Sequence, residues 1–224
     1  ADRLNNSLSE HFAETLAKLP DVEAVNPVLT NRVSLGRDTP GGVLAQGLPP
    51  WSRLLASLTF TDGKAFDDTS SSTSEDKEGG SGEEPKEGSI LLGQQLAENI
   101  KKKVGDVVMV EESPYRVVGI FHSSNPFENN TAIFPLHELQ RLMERGQQVS
   151  EFQLTVSSEA RGDEQRLRQL RSAIEELRDE DGRKLGLAAM PTSDYVASNT
   201  QLRIAKAMSW VTSAIALFIG FVGV

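Results

Sequence analysis

The sequence predicts an α+β domain followed by a long apolar helix at its C-terminal end. From residue 4 to residue 190, short β-rich runs alternate with apolar stripes of helical spacing. Asp67–Gly88 contains no aliphatic or aromatic residue and separates two groups of these elements. From Ala207 to Val224, 18 consecutive residues carry no charge. These observations indicate a folded domain that is interrupted by one polar stretch. A segment long enough to span a membrane follows it in the sequence.

The first group of elements begins with a helix that Pro20 closes. Its apolar stripe recurs every three or four positions, at Leu4, Leu8, Phe12, Leu16 and Leu19. Val22 to Leu35 predicts a strand bent at Pro27, and Val43 to Leu48 predicts a short strand. Ser52 to Leu58 is predicted to form one or two helical turns.

The polar stretch Asp67–Gly88 is predicted to be disordered, because it cannot bury enough apolar surface to offset the entropy of ordering. Its eight acidic residues and two lysines give it a net charge of −6, out of −9 for the chain. The alternative, a cation-binding loop, lacks the Asp-x-Asp-x-Asp-Gly spacing of calcium loops. The acidity therefore belongs to a linker.

The second group of elements is β-rich. In order, the patterns predict a strand at Ser89–Leu92, a helix at Gln94–Lys103, a hairpin from Val107–Val110 and Tyr115–Phe121, a strand at Thr131–Phe134 and a helix at Leu136–Arg145.

A strand–helix–strand unit is predicted next. Phe152–Val156 alternates as a half-buried strand, Asp163–Asp179 carries a helical stripe, and Leu185–Met190 is predicted to return as a strand on the same sheet. Four arginines on the helix could form an anion-binding surface: Arg166, Arg168, Arg171 and Arg178. Glu164, Glu175 and Glu176 lie at pairing distance and favour a salt-bridged solvent face instead.

The C-terminal residues 192–224 are predicted to form one helix that is a polar stalk first and a membrane span afterwards. Thr192, Ser193 and Asp194 offer N-cap oxygens, and Tyr195–Ile219 contains neither Gly nor Pro. At about 1.5 Å per residue, the 18 uncharged residues cover roughly 27 Å, close to the ~30 Å hydrocarbon thickness. A buried core helix is the alternative. The positions singled out on this helix are Ala205, Met208, Val211, Ile215, Phe218, Gly220 and Gly223.

Few residues suggest catalysis. The chain has no cysteine, no P-loop and no Gly-x-Ser-x-Gly elbow, and its acidity argues against a nucleic-acid partner. Its three histidines form no metal-binding spacing. His122 with Ser123, Ser124 and Glu128 could be drawn as a hydrolytic cluster, but such loop residues are common. We therefore expect no catalytic site, metal or cofactor.

Five stretches in order resemble the extracytoplasmic core domain of MacB-type ABC transporter permeases, a group that includes lipoprotein-release permeases and, more distantly, FtsX. They are Leu19–Pro27, Gly63–Phe66, Ile90–Gly93 with Leu96 and Ala97, Val104–Val108 running into Tyr115–Ile120, and Ile215–Val224. The last stretch resembles the glycine-bearing second transmembrane helix of that family. The strand expected before the first helix is missing, and the acidic stretch replaces a short connection.

The resemblance implies a two-lobed body in the periplasm or exterior, anchored in the bacterial inner membrane. A porter-like subdomain would comprise residues 1–48 and 150–191, and a β-rich sabre-like subdomain residues 49–149. It implies a permease homodimer or heterodimer and a cytoplasmic ABC ATPase, with a periplasmic adaptor or a lipoprotein as a further partner. Such permeases act by mechanotransmission, in which movements of the stalk and the periplasmic body drive efflux or extraction of cargo.

Two alternatives and one conflicting observation accompany this expectation. Arg203 and Lys206 beside the span would favour a cytoplasmic body, but long domains are translocated largely regardless of such charges. An FtsX-like regulator of a cell-wall hydrolase is the first rival function, and a membrane-tethered enzyme is the second.

Overall fold

A computed structural model describes residues 7–36, 39, 41–66, 87–178 and 182–191. The chain divides into two compact units, Ala1–Ser157 and Ser158–Val224. The first unit contains β1 (Leu8–Ser9), α1 (Phe12–Ala17), β2 (Val22–Val33), β3 (Val43–Leu48), α2 (Arg53–Ala56), β4 (Thr59–Gly63), β5 (Gly88–Gly93), α3 (Gln94–Asn99), β6 (Val107–Val110), β7 (Ser113–His122), β8 (Thr131–Pro135), α4 (Leu136–Leu142), β9 (Gln148–Val149) and β10 (Glu151–Val156). The second contains α5 (Ser158–Arg161) and α6 (Glu164–Glu175).

One mixed sheet of eight strands forms the first unit. Its order is β10-β2-β3-β8-β5-β7-β4, and β6 also pairs with β7. β3 pairs with β8 in parallel and β5 with β7 in parallel, whereas the other neighbours are antiparallel. The boundary between the predicted porter-like and sabre-like subdomains falls between β3 and β8, inside this sheet. The division into two subdomains remains a prediction.

Apolar side chains pack against both faces of the central strands. Ile90 and Leu92 of β5 belong to one buried cluster, with Phe134 and with side chains of α3 and α4. Leu91, between them in sequence, belongs to a second cluster together with Leu55 of α2. Because successive side chains of a strand point to opposite faces, the two clusters lie on opposite sides of the sheet. This explains why β5 reads as a continuous apolar run instead of an alternating one.

β2 continues through Pro27, where the sequence predicts a bend. The expected bend at Pro27 does not interrupt the strand, which runs unbroken from Val22 to Val33. Its first half pairs only with β10, where Pro27 is opposite Phe152, and its second half pairs with β3 from Leu29 onward. Proline lacks an N–H, so it is tolerated where one edge of the strand has no partner.

The predicted N-terminal helix is shorter than its apolar stripe. Only Phe12–Ala17 is helical among the described residues, and Leu8 lies in β1, which pairs with Gln148 and Val149 of β9. Leu4 is outside the described residues. Leu16 remains the buried contact of the helix, at 1% exposure. A strand pairing across about 140 residues of chain has thus overridden a local helical pattern.

The second unit confirms the predicted helix but not the strand after it. Asp163 caps α6 by accepting hydrogen bonds from the backbone N–H groups of Gln165 and Arg166, at 2.8 and 3.2 Å. Leu185–Met190 forms no strand, and Arg178 and Lys184 make an isolated bridge. The segment lies beside its own helix, because Leu185 N–H donates to the Leu177 carbonyl and Arg171 Nε donates to the Ala189 carbonyl. These backbone groups of the segment are therefore hydrogen-bonded to the C-terminal part of the helix and the residues after it, and not to a neighbouring strand.

Candidate functional site

The stalk and span positions named from sequence lie outside the described residues: Ala205, Met208, Val211, Ile215, Phe218, Gly220 and Gly223. Asp67–Lys86, the greater part of the predicted disordered stretch, does so as well. Within the described ranges, no helix combines the length and apolar character needed to cross a membrane. The same ranges contain no group of three His, Asp or Glu side chains placed to hold a metal ion.

Side chains of the loop between β7 and β8 are hydrogen-bonded to one another. Ser123 Oγ donates to a Glu128 carboxylate oxygen, and Asn125 Nδ2 donates to the other oxygen at 3.2 Å. His122 Nδ1 is hydrogen-bonded to Gln94 Oε1 at 3.1 Å, not to a serine. The Ser123 hydroxyl is thus bonded to Glu128 and not to His122, so the serine–histidine pair drawn from the sequence does not form. The loop residues therefore hold the loop in shape.

This internally bonded loop displays an aromatic side chain. Asn129 clamps Ser123 from both sides, accepting from its N–H and donating to its carbonyl, each at 2.7 Å. Phe127 N–H donates to Asn125 Oδ1, and the Phe127 side chain is 48% exposed. An exposed aromatic residue on a rigid loop is the type of group that anchors protein partners, since little entropy is lost on binding.

A second exposed aromatic residue lies beyond the end of β3. Trp51 is 70% exposed and lines a groove of about 180 Å³ with Pro49, Pro50, Glu10 and Gln140, among others. Gln140 Nε2 donates to Glu10 Oε2 at 2.8 Å across the floor of this region. The sequence contains a usable signal for both aromatic residues, because each directly follows a proline in a loop and so cannot continue a core stripe.

A buried carboxyl group, which the sequence patterns did not reveal, joins α4 to the start of β5. Glu138 is 7% exposed and accepts a hydrogen bond from the Ser89 N–H at 3.2 Å. Burial raises the pKa of Glu138, while the Ser89 N–H and the Arg141 guanidinium oppose that rise. Gly88 leaves the space that the carboxyl group occupies, since a Cβ there would lie 2.6 Å from Glu138 Oε2. This glycine is the only local trace of the contact in the sequence.

Tyr115 completes this buried group. Its ring meets Phe134 edge-on, with ring centroids 5.2 Å apart, and the side chain is 2% exposed. Burial, together with the nearby Glu138 carboxylate, raises the pKa of Tyr115, and Arg141 opposes the change. The arrangement stabilises the position of β5 at the end of the undescribed stretch 67–86.

The arginines of α6 are engaged within the second unit. Arg168 pairs with Glu164 at 3.1 Å and Arg166 with Asp163 at 3.6 Å, while Arg171 is bonded to the Ala189 carbonyl. The predicted salt-bridged face is confirmed for Arg168 with Glu164, whereas Arg166 pairs with the capping residue Asp163 instead of a predicted glutamate. These pairs are largely exposed, so each contributes little to stability.

The sequence of the chain shows its family. Residues 2–177 match the family described as the MacB-like periplasmic core domain, and the chain belongs to this family. Domains of this family are parts of ABC transporter permeases of the inner membrane, which work with a cytoplasmic ABC ATPase. They are components of transporters.

Solved structures of such domains share the fold. The periplasmic region of MacB from Actinobacillus actinomycetemcomitans superposes with a TM-score of 0.56 at 15% identity, covering 79% of this chain and 76% of that one. The extracellular domain of the noncanonic ABC-type transporter YknZ from Gram-positive bacteria gives 0.58 at 15% identity, covering 83% and 90%. No curated protein matches the chain. At this identity the likeness extends to the fold alone.

Proposed function

We propose that this chain is the extracytoplasmic body of an ABC permease subunit that transmits motion from a partner ATPase to a cargo outside the membrane. The observation that carries this proposal is the family assignment of residues 2–177, followed downstream by the 18-residue uncharged run Ala207–Val224. A body of this family joined to a span by a charged, uninterrupted stretch is suited to mechanotransmission. Its task is efflux or extraction of a hydrophobic or lipidated cargo.

The continuous sheet supports this role. β2, β3 and β10 belong to the predicted porter-like part, and β8, β5, β7, β4 and β6 to the sabre-like part, yet all eight strands are hydrogen-bonded into one sheet. A displacement applied to one side of such a sheet is carried to the other side, because packed interiors have low compressibility.

We expect the partners to be a cytoplasmic ABC ATPase and a second permease subunit, identical or related. A periplasmic adaptor or a lipoprotein would meet the body, and lipid would surround the span.

Motion can pass between the membrane span and the body only if the predicted stalk helix is stiff. Ala205→Pro would remove one backbone hydrogen bond of a helix and clash with the carbonyl of Gln201, at a cost of about 3 kcal/mol, and would kink the helix. In the full transporter we expect ATP hydrolysis to continue and transport to be lost. Both are measured on the same reconstituted vesicles.

Ala205→Leu is the matched control, because leucine is bulky but compatible with a helix. It should retain most of the transport activity. Equal damage from both substitutions would mean that side-chain packing at position 205 is the sensitive feature, and the lever mechanism would be wrong. Loss of ATP hydrolysis with Ala205→Pro would show instead that the stalk is needed for assembly.

A further inference from the structure

The sheet coils so that two strands far apart in its order meet at one point. β3, β8, β5 and β7 separate β2 from β6 in the sheet. Nevertheless, the residue after β2 and the residue after β6 exchange two hydrogen bonds. Ser34 N–H donates to Glu111 Oε1 at 2.6 Å, and Glu111 N–H donates to the Ser34 carbonyl at 3.2 Å.

The turn on one side of this contact has an unfavourable backbone conformation for its residues. Glu111 and Glu112 join β6 to β7 as a two-residue turn, with φ angles of +46° and +74°. Two-residue hairpin turns of this kind strongly favour Asn and Gly, because a Cβ is disfavoured in the left-handed region. Two glutamates in succession therefore strain the turn, and the contact with Ser34 helps to hold it.

Buried side chains lie directly beneath the contact. Val33 and Val110, each one residue away, are 1% and 0% exposed and belong to the same apolar cluster. On the outer side, an open depression of about 530 Å³ is lined by Arg32, Gly42 and Glu111, among others. Solvent therefore reaches the contact from outside, whereas its inner side seals the core.

We propose that the Ser34–Glu111 contact is a latch that closes the coiled sheet in one state and releases the β6–β7 hairpin in another. An exposed pair of hydrogen bonds holding a strained turn over a buried seam is a place where opening is local. Ser34 lies in the predicted porter-like part and Glu111 in the sabre-like part, but these parts stay joined by the pairing of β3 with β8, so release would free the β6–β7 turn and not separate the two parts. The latch does not depend on the transport function proposed above.

Native-state thiol labelling tests this directly, because the chain has no cysteine of its own. Val33→Cys and Val110→Cys are near-isosteric probes on the two sides of the latch. Val117→Cys is the matched control, since Val117 is 0% exposed in the same cluster but lies in the middle of β7. Labelling rates of the three are measured in the full chain, with and without Glu111→Ala.

Glu111→Ala removes the charge-assisted bond and leaves the turn's backbone conformation equally disfavoured. We expect labelling of both latch probes to accelerate about tenfold, with less than a twofold change at the control. Glu112→Gly, which relaxes the turn and keeps the latch, should slow labelling at both latch probes. Equal acceleration at Val117→Cys would reveal global unfolding and overturn the proposal. Faster labelling at only one latch probe, or at neither, would also overturn it. If Glu111→Ala or Glu112→Gly does not fold, the labelling rates of the other variant decide.

Discussion

Glu138 shows how a single buried side chain fixes the start of a strand. Its carboxyl group receives the Ser89 N–H in a site that Gly88 keeps open and that Tyr115 covers. Removing such a group from water disfavours its charged form, which is why burial raises the pKa of Glu138. The folded state therefore holds this proton more tightly than the unfolded state does.

The pH dependence of stability follows from this direction of shift. For an acid whose pKa is higher in the folded state, stability is greatest below the unfolded pKa, about 4.3 for glutamate, and falls as pH rises toward the folded pKa. Glu138→Gln should abolish this contribution, so that the variant gains stability relative to the wild type between pH 4 and pH 7. Urea unfolding across that range measures it.

Glu98→Gln is the control for that series, since the Glu98 side chain is exposed and accepts a hydrogen bond from Gln94 Nε2 in its own helix. It should leave the pH profile unchanged. If Glu138→Gln followed the wild-type profile at every pH, the carboxyl group would not be protonated preferentially in the folded state.

At the scale of single elements, the sequence predicts most strands and helices but not their partners. The hairpin, β8, β10 and α6 were predicted because their patterns are local. The apolar stripe from Leu4 to Leu19 is equally regular, yet Leu8 pairs with Val149 in a strand. Leu185–Met190 has an alternating pattern, and its backbone is bonded to α6 instead. Both errors have one cause, because strand pairing depends on distant residues that a local pattern does not contain.

The candidate surfaces were less predictable than the fold. Trp51 and Phe127 are exposed because prolines place them in loops, and Glu138 is buried because of a glycine 50 positions earlier. Apolar periodicity describes neither situation. The stalk positions, in contrast, were read from composition alone and remain a prediction.

α6 offers a test of how one element is stabilised. Asp163 accepts from two backbone N–H groups at the first turn, which otherwise have no helical partner. Asp163→Ala should cost about 1 kcal/mol, and Asp163→Asn only a few tenths, because asparagine retains the acceptor oxygen. Amide hydrogen exchange of residues 165–175 measures the loss within the helix itself. Equal effects from the two substitutions would assign the stabilisation to the charge near the helix end and not to the cap.

For the whole molecule, the decisive feature is that the chain on both sides of the acidic stretch builds one sheet. β3 and β4 precede the acidic stretch, and β7 and β8 follow it. β4 pairs with β7 and β3 pairs with β8, so both pairs join chain segments from the two sides of the stretch. The polypeptide connection at residues 67–86 is therefore not what holds the two portions together.

A nicked chain should consequently stay intact. Limited proteolysis is expected to cut first at Lys77 or Lys86, and the fragments should elute together in size-exclusion chromatography. Replacing residues 67–86 by a short Gly-Ser turn should change the free energy of unfolding little, because loop-closure entropy varies only slowly with length. Protection of both lysines, or separation of the fragments without denaturant, would contradict this expectation.

The pairing of β2 with β10 also determines the order in which the chain can fold. Val28 of β2 is paired with Glu151 of β10, more than 120 positions later in the sequence, so β2 is synthesised long before its partner exists. Such non-local pairing forms slowly, and an open strand edge can meanwhile pair with another chain.

Glu23 and Pro27 both lie in the half of β2 that pairs with β10. A charge and a proline on a strand edge hinder pairing with the wrong strand. We therefore expect Pro27, which the finished sheet tolerates, to hinder aggregation of the chain before β10 is in place.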